Sequence, residues 1–301
     1  MLWLIVAILA YLISAVVFLV DKYLLVNSIP NPKVYSFYVG ILGIAVLSLL
    51  PFIEFSVLTP PYLVFAFIAG ASFVLAILWF FKGLGLYEPS RIVPAVGGIL
   101  PVFTFLLIFI LSKGKEALSF WEIISLLLLI LGSFLITYER AKKFSPESLK
   151  ISAIAAFFFA FSFVFSKYVY LEYPFLLGLV WIRLGGVAMA LIFLFSRRLR
   201  DELFKEKPGF EKKTAVVFFS GQAAGAGAGI LQNWAVALVP LAYVAFVNAL
   251  QGVQYAFLLI FAVLLSSTFP KILKEEISRE VILQKITAVI IIGAGLTILA
   301  L

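Results

Sequence analysis

The chain has 301 residues, 64% of them hydrophobic and only 13% charged, with a formal net charge of +8 and a mean hydropathy of +1.17. So few charges cannot cover so much apolar surface, and composition therefore excludes a water-soluble domain. Cys and His are both absent, which excludes disulfides, thiol chemistry, histidine proton relays and the usual zinc and haem sites; the excess positive charge lies in short connectors beside apolar runs, not in a nucleic-acid footprint.

About 20 apolar residues cross a bilayer as helix, and runs of that kind occupy 2–20, 34–53, 61–83, 89–111, 120–138, 150–169, 174–195, 214–234, 241–266 and 281–300. The first run lacks a basic leader and a small-residue cleavage pattern before Asp21, so it reads as a retained span and not a removed signal. Lys22 and Tyr23 close it, as Lys167 and Tyr168 close the sixth run. Such pairs either anchor helix ends at the interface or gate them and guide anions inward. The third run carries Trp79. In the fourth, Pro94 and Pro101 stand seven apart around Gly97 and Gly98; they remove backbone donors from one face and predict a bend that serves as a hinge or exposes carbonyls to a cavity.

The seventh run holds Trp181 and, about ten residues in, Arg183. A charge at that depth costs at least about 2.5 to 3.5 kcal/mol and therefore faces protein or water. Its planar fork suits a substrate carboxylate or phosphate, and the bland alternative is an anchor to neighbouring carbonyls. In the eighth run Gly221, Gly225 and Gly229 repeat every four residues, the spacing of a close helix crossing, and Gln222, Gln232, Asn233 and Trp234 add amides and an indole. In the ninth, Asn248, Gln251 and Tyr255 share one helical face with Gln254 at its edge. These amides either tie helices together or line a site. Every acid falls at or near a span end or in a connector, so no carboxylate is expected at mid-bilayer, and facilitated diffusion or exchange is the simpler energetic scheme, with coupling through Asp21 or Glu88 as the alternative.

Two internal echoes organise these runs. Residues 105–109 and 257–261 both read FLLIF, and Ala15, Phe18, Lys22 and Tyr23 recur as Ala160, Phe163, Lys167 and Tyr168. The chain thus divides into a first repeat over 1–141, a connector over 142–148 and a second repeat over 149–301. Five crossings per copy force the copies to lie upside down relative to each other, a layout that places a substrate site at their interface. Lys and Arg concentrate in the odd-numbered connectors, which assigns those to the cytoplasm and both termini to the outside.

The stretches GLGLYEPSRIVPAVGGILPVFTFLLIFILSKGKEALSFWEIISLLLLILGSFLI (83–136) and ALVPLAYVAFVNALQGVQYAFLLIFAVLL (237–265) resemble the EamA repeat of the drug/metabolite transporter superfamily, one in each half. Val253 replaces the counterpart of Pro101, and the second turn is longer. Arg183 matches an arginine often found early in the second helix of such repeats, where the first copy has Tyr38. The resemblance implies an all-α integral membrane protein of ten transmembrane helices as two inverted five-helix repeats, resident in the cell membrane. It also implies alternating-access export or exchange of a small metabolite such as an amino acid.

The expected partners are a small-molecule substrate and the lipid bilayer, with no nucleic acid, in a monomer or homodimer. No catalytic residues, metal ligands or cofactor are expected, and the chain does not read as an enzyme. Transport of a lipid-linked sugar, or a receptor or assembly role without transport, is the alternative.

Overall fold

The structure, a computed structural model, describes residues 2–29, 31–87, 89–137, 146–204, 212–254, 257, 261 and 279–300. Its elements are α1 (Leu2–Asn27), α2 (Pro32–Ile41) continued by a 3₁₀ stretch (Leu42–Phe52), α3 (Pro60–Leu86), α4 (Pro89–Leu111), α5 (Phe120–Thr137), α6 (Pro146–Glu172) and α7 (Phe175–Phe193). There follow α8 (Arg197–Phe204), α9 (Lys212–Leu238), a 3₁₀ turn (Leu241–Tyr243), α10 (Val244–Ala249) and α11 (Arg279–Ala300). Among the described residues every regular element is helical, and six helical stretches are long and apolar enough to cross a membrane; they belong to α1, α2 with its extension, α3, α6, α7 and α9. Shorter apolar helices lie in α4, α5 and α11.

Local sequence explains where these helices begin. Pro32, Pro60, Pro89 and Pro146 each occupy the first helical position, where the missing N–H costs nothing. Asn31 caps α2 by accepting from the Lys33 N–H at 2.9 Å. At α5, Ser119 and Glu122 form a reciprocal capping box: the Ser119 N–H donates to Glu122 Oε2 at 2.7 Å and the Glu122 N–H to Ser119 Oγ at 3.4 Å. The 3₁₀ stretch after α2 rises about 2 Å per residue. With it, the 21 residues from Pro32 to Phe52 reach beyond the roughly 30 Å of hydrocarbon that a short α-helix would barely span.

Several boundaries correct the expectations above. The first span does not stop before Asp21, because α1 runs on to Asn27 through Leu24 and Leu25, both buried. The polar connector after the seventh span carries a helix: α8 packs Leu199 and Leu203, four residues apart, into the main apolar core. Asn31 reaches across to donate to the Glu202 carboxylate and ties α8 to the α1–α2 junction.

The outer surface is apolar as well. Ile5, Val16, Phe52, Ile110, Leu131 and Ile290 all point outward and exposed, a surface that suits lipid and not water. Inside, the helices pair antiparallel. Val20 and Val17 of α1 meet Gly221 and Gly225 of α9. Phe80 and Phe65 of α3 meet Phe159 and Phe165 of α6. Gly40 of α2 and Gly43 of its 3₁₀ extension lie on Ala190 and Val187 of α7, and Ser125 and Leu135 of α5 bond to Gly295 and Gln284 of α11. In each pair residue numbers rise on one helix as they fall on the other.

The α4 helix continues through its two prolines without interruption. Gly97 and Pro101 are buried, the side chain of Pro94 lies outside the described residues, and a Cβ on Gly98 would meet nothing within 4 Å. Gly98→Ala is therefore expected to raise thermal stability by up to about 1 kcal/mol, because a helical glycine carries excess unfolded-state entropy. A hinge at Gly98 would instead show as slowed transport in that variant at unchanged or higher melting temperature.

Candidate functional site

One helix organises the polar interior. On α9, Gly221, Gly225, Gly229, Asn233 and Ala237 recur every four residues, and each such step turns the row by about 40° around the axis. The row therefore faces two partners in succession. Gly221 and Gly225 receive Val20 and Val17 of α1, as the close-packing reading of this stripe expects, but Gly229 does something else: a Cβ there would stand 2.8 Å from Nη2 of Arg183. The glycine makes room for a guanidinium.

Arg183 enters from α7 and lies with Cζ 5.2 Å from the Phe73 ring centroid of α3, a cation–π contact. Tyr170 of α6 stands within its electrostatic reach and donates to Asn233 Oδ1 at 2.9 Å, while Asn233 Nδ2 donates to the Gly229 carbonyl at 2.9 Å. One turn further along α9, Lys167 of α6, only 2% exposed, donates from Nζ to the Ala237 carbonyl at 2.9 Å. No carboxylate pairs with Arg183 or Lys167 among the described residues. Gly229 and Ala237 are eight residues apart, so the two cations sit about 12 Å apart along α9, with the Tyr170–Asn233 pair between them. Cations held this way inside an apolar bundle cost several kcal/mol unless an anion joins them. The arrangement is a two-step ladder for an anion.

The flank of α9 at Gln232 reaches α1, and through it α10, at the same level. Gln232 Nε2 donates to Tyr11 Oη at 3.2 Å, and Tyr11 donates to the Val247 carbonyl at 2.9 Å. The neighbouring Asn248 is fully buried. Its orientation is fixed by Thr104 of α4, whose single hydroxyl proton goes to the Leu100 carbonyl at 2.8 Å, so that Thr104 Oγ1 can only accept from Asn248 Nδ2 at 2.9 Å. Among the described residues the other amide atom, Oδ1, has no partner, and neither has Oε1 of Gln251. Gln254 is buried close by on the same stretch, and Tyr255 lies outside the described residues.

The remaining expected site residues are placed elsewhere. The Trp181 indole donates to the Ser56 carbonyl at 3.0 Å and stacks on Phe55, which makes it an anchor for the α2–α3 connector. Trp234 turns outward, 38% exposed, away from Asn233 because adjacent helical residues diverge by about 100°. Trp79 lies under Lys82, with Nζ 4.6 Å from the ring centroid; it belongs to the far end of α3 from the Lys167 end of the ladder. Lys22 is half-buried.

A second cluster joins residues that the sequence named only separately or not at all. Asp21, half-buried near the end of α1, accepts from Tyr35 of α2 and, on the same Oδ1, from Gln222 Nε2 of α9 at 3.3 Å; Gln222 also reaches Tyr35 Oη at 3.2 Å. The available signal was the apolar run Leu24-Leu25-Val26 after Asp21, which carries the helix past the acid and keeps it inside the bundle.

The chain matches no family model and no curated protein. A solved structure described only as the crystal structure of a protein superposes with a TM-score of 0.63 and 19% identity, over 99% of this chain and 94% of that chain. A likeness at that identity establishes the fold alone.

Proposed function

We propose that this chain is a multi-pass transporter of the cell membrane, of the EamA type in the drug/metabolite transporter superfamily, built as ten spans in two inverted five-helix repeats. Its cargo on this reading is a small anionic or amphipathic metabolite such as an amino acid, moved by alternating access in export or exchange. The helix directions support the inverted arrangement: α2 and α7, and likewise α5 and α11, are counterparts in the two repeats and run antiparallel to each other. The reciprocal pairs α1–α9 and α3–α6 are what a two-fold axis in the membrane plane would generate from one another.

The observation that carries the functional reading is the cation ladder. Arg183 and Lys167 sit between α3, α6, α7 and α9 with donors to spare and no acid beside them among the described residues. An anionic group supplies the missing charge, and the guanidinium fork binds a carboxylate or phosphate through two parallel hydrogen bonds. A thermal-shift screen of the purified protein against amino acids, organic acids, sugars and nucleotides tests it. Stabilisation confined to ligands with an anionic group is the expected result; stabilisation by neutral sugars alone would remove the ladder from the substrate site.

A further inference from the structure

The junction of α1, α2 and α9 holds a carboxylate that the proposed transport site does not use. Asp21 Oδ1 accepts from both Tyr35 and Gln222, so one atom joins three helices. Neither donor is charged, and Asp21 forms no ion pair among the described residues. Its surroundings are dry: Tyr35 is fully buried, with the rings of Phe81 and Phe218 edge-on at 4.7 and 5.9 Å. The cluster lies toward the α1–α2 junction, the end that the charge bias assigns to the cytoplasm. The Arg183–Lys167 ladder occupies the other part of α9, with Gly229 seven and Ala237 fifteen residues beyond Gln222.

We infer that Asp21 is a proton-binding site and that protonation there unlatches α2 from α1 and α9, opening this end of the bundle. A proton from the adjoining water adds to a carboxylate oxygen of Asp21, while Tyr35 keeps its own hydroxyl proton. The charge on the shared acceptor is then lost, and both hydrogen bonds fall from charge-assisted to ordinary strength at the same moment. An ion pair would resist this change strongly; two neutral donors resist it less. The latch and the anion ladder share α9 as a common element, which gives proton binding at one end a mechanical route to the cations at the other.

Other titratable groups on the packed elements are Tyr11, Lys22 and Tyr23 on α1, Lys33 and Tyr38 on α2, Tyr62 and Lys82 on α3, Arg197, Arg198, Arg200, Asp201 and Glu202 on α8, and Lys212 and Lys213 on α9. Glu202 is engaged by Asn31 and is the acid that needs a control.

The chain lacks cysteine, so two introduced cysteines carry spin labels without background. Lys33→Cys at the start of α2 and Ser220→Cys on α9, both at exposed positions, report the separation of α2 from α9 by pulsed dipolar spectroscopy on the full chain in lipid nanodiscs. A longer distance is expected to gain population as pH falls from 8 to 5. Asp21→Asn is expected to hold the longer distance at both pH values, and Glu202→Gln to respond as the native chain does. Tyr35→Phe keeps the acid but removes one donor, and is expected to transfer the opening to a higher pH.

A native distance that ignores pH, or an Asp21→Asn protein that responds like the native one, overturns the inference. If Asp21→Asn fails to fold, an unshifted transition in Tyr35→Phe overturns it equally. No substrate enters this measurement, so its outcome is independent of whether the ladder binds an anion.

Discussion

Arg183→Ala is expected to leave the unliganded protein at least as stable as the native one, while costing acidic ligands at least about 2 kcal/mol of affinity, roughly 30-fold. The two halves of this result have one cause. The guanidinium is held by a ring face and the groove at Gly229, with no carboxylate beside it among the described residues, so its desolvation is uncompensated until an anion arrives. Removing it relieves the free protein and deprives the bound state of its strongest donors. Arg183→Lys keeps the charge but loses the fork, and an intermediate affinity is expected. Melting curves of the three proteins with and without ligand separate these outcomes. A large drop in melting temperature for unliganded Arg183→Ala would show instead that the side chain is a structural anchor.

Gly70→Val is expected to prevent accumulation of folded protein. At the α3–α7 crossing a Cβ on Gly70 would run into the Ile182 carbonyl oxygen and the Gly186 backbone nitrogen. From the other side, a Cβ on Gly185 would stand 2.7 Å from the Phe67 Cα. Backbone lies on backbone here, so no side chain can rotate away, and the cost exceeds the about 1 to 3 kcal/mol of ordinary overpacking. Gly227, where a Cβ would meet nothing within 4 Å, supplies the control: Gly227→Val is expected to fold. Detergent-solubilised monodisperse yield is the readout. Equal yields from the two variants would contradict this account of the crossing.

How much of this was readable beforehand depends on whether a feature is local. Arg183 was conspicuous because a charge among apolar residues is a local anomaly, and the glycine row was conspicuous by its spacing. What the row would touch was not, since the 40° drift per step hands it from α1 to Arg183 only in three dimensions. Lys167 read as a helix-end anchor or gate because the sixth span was expected to close at residue 169, whereas α6 continues to Glu172 and draws the lysine inside. Asp21 read as a span-end acid for the same reason, because α1 runs on past it to Asn27. Apolar composition marks where lipid begins, but a helix ends where its backbone is capped, and the polar residues between those two limits are the ones a hydropathy reading misplaces. Trp181 and Trp234 were grouped with the site because aromatic residues near a charge look alike in sequence; their directions are set by the helix turn and by the Ser56 carbonyl.

Flux through the purified protein tests the central claim most directly. Proteoliposomes loaded with an unlabelled anionic ligand from the thermal-shift screen, and diluted into the labelled compound, are expected to accumulate label transiently above equilibrium, because a site open to one side at a time exchanges faster than it returns empty. That overshoot is expected to vanish in Arg183→Ala. Label that equilibrates without overshoot, or an overshoot of native size in Arg183→Ala, would contradict alternating access around this cation ladder.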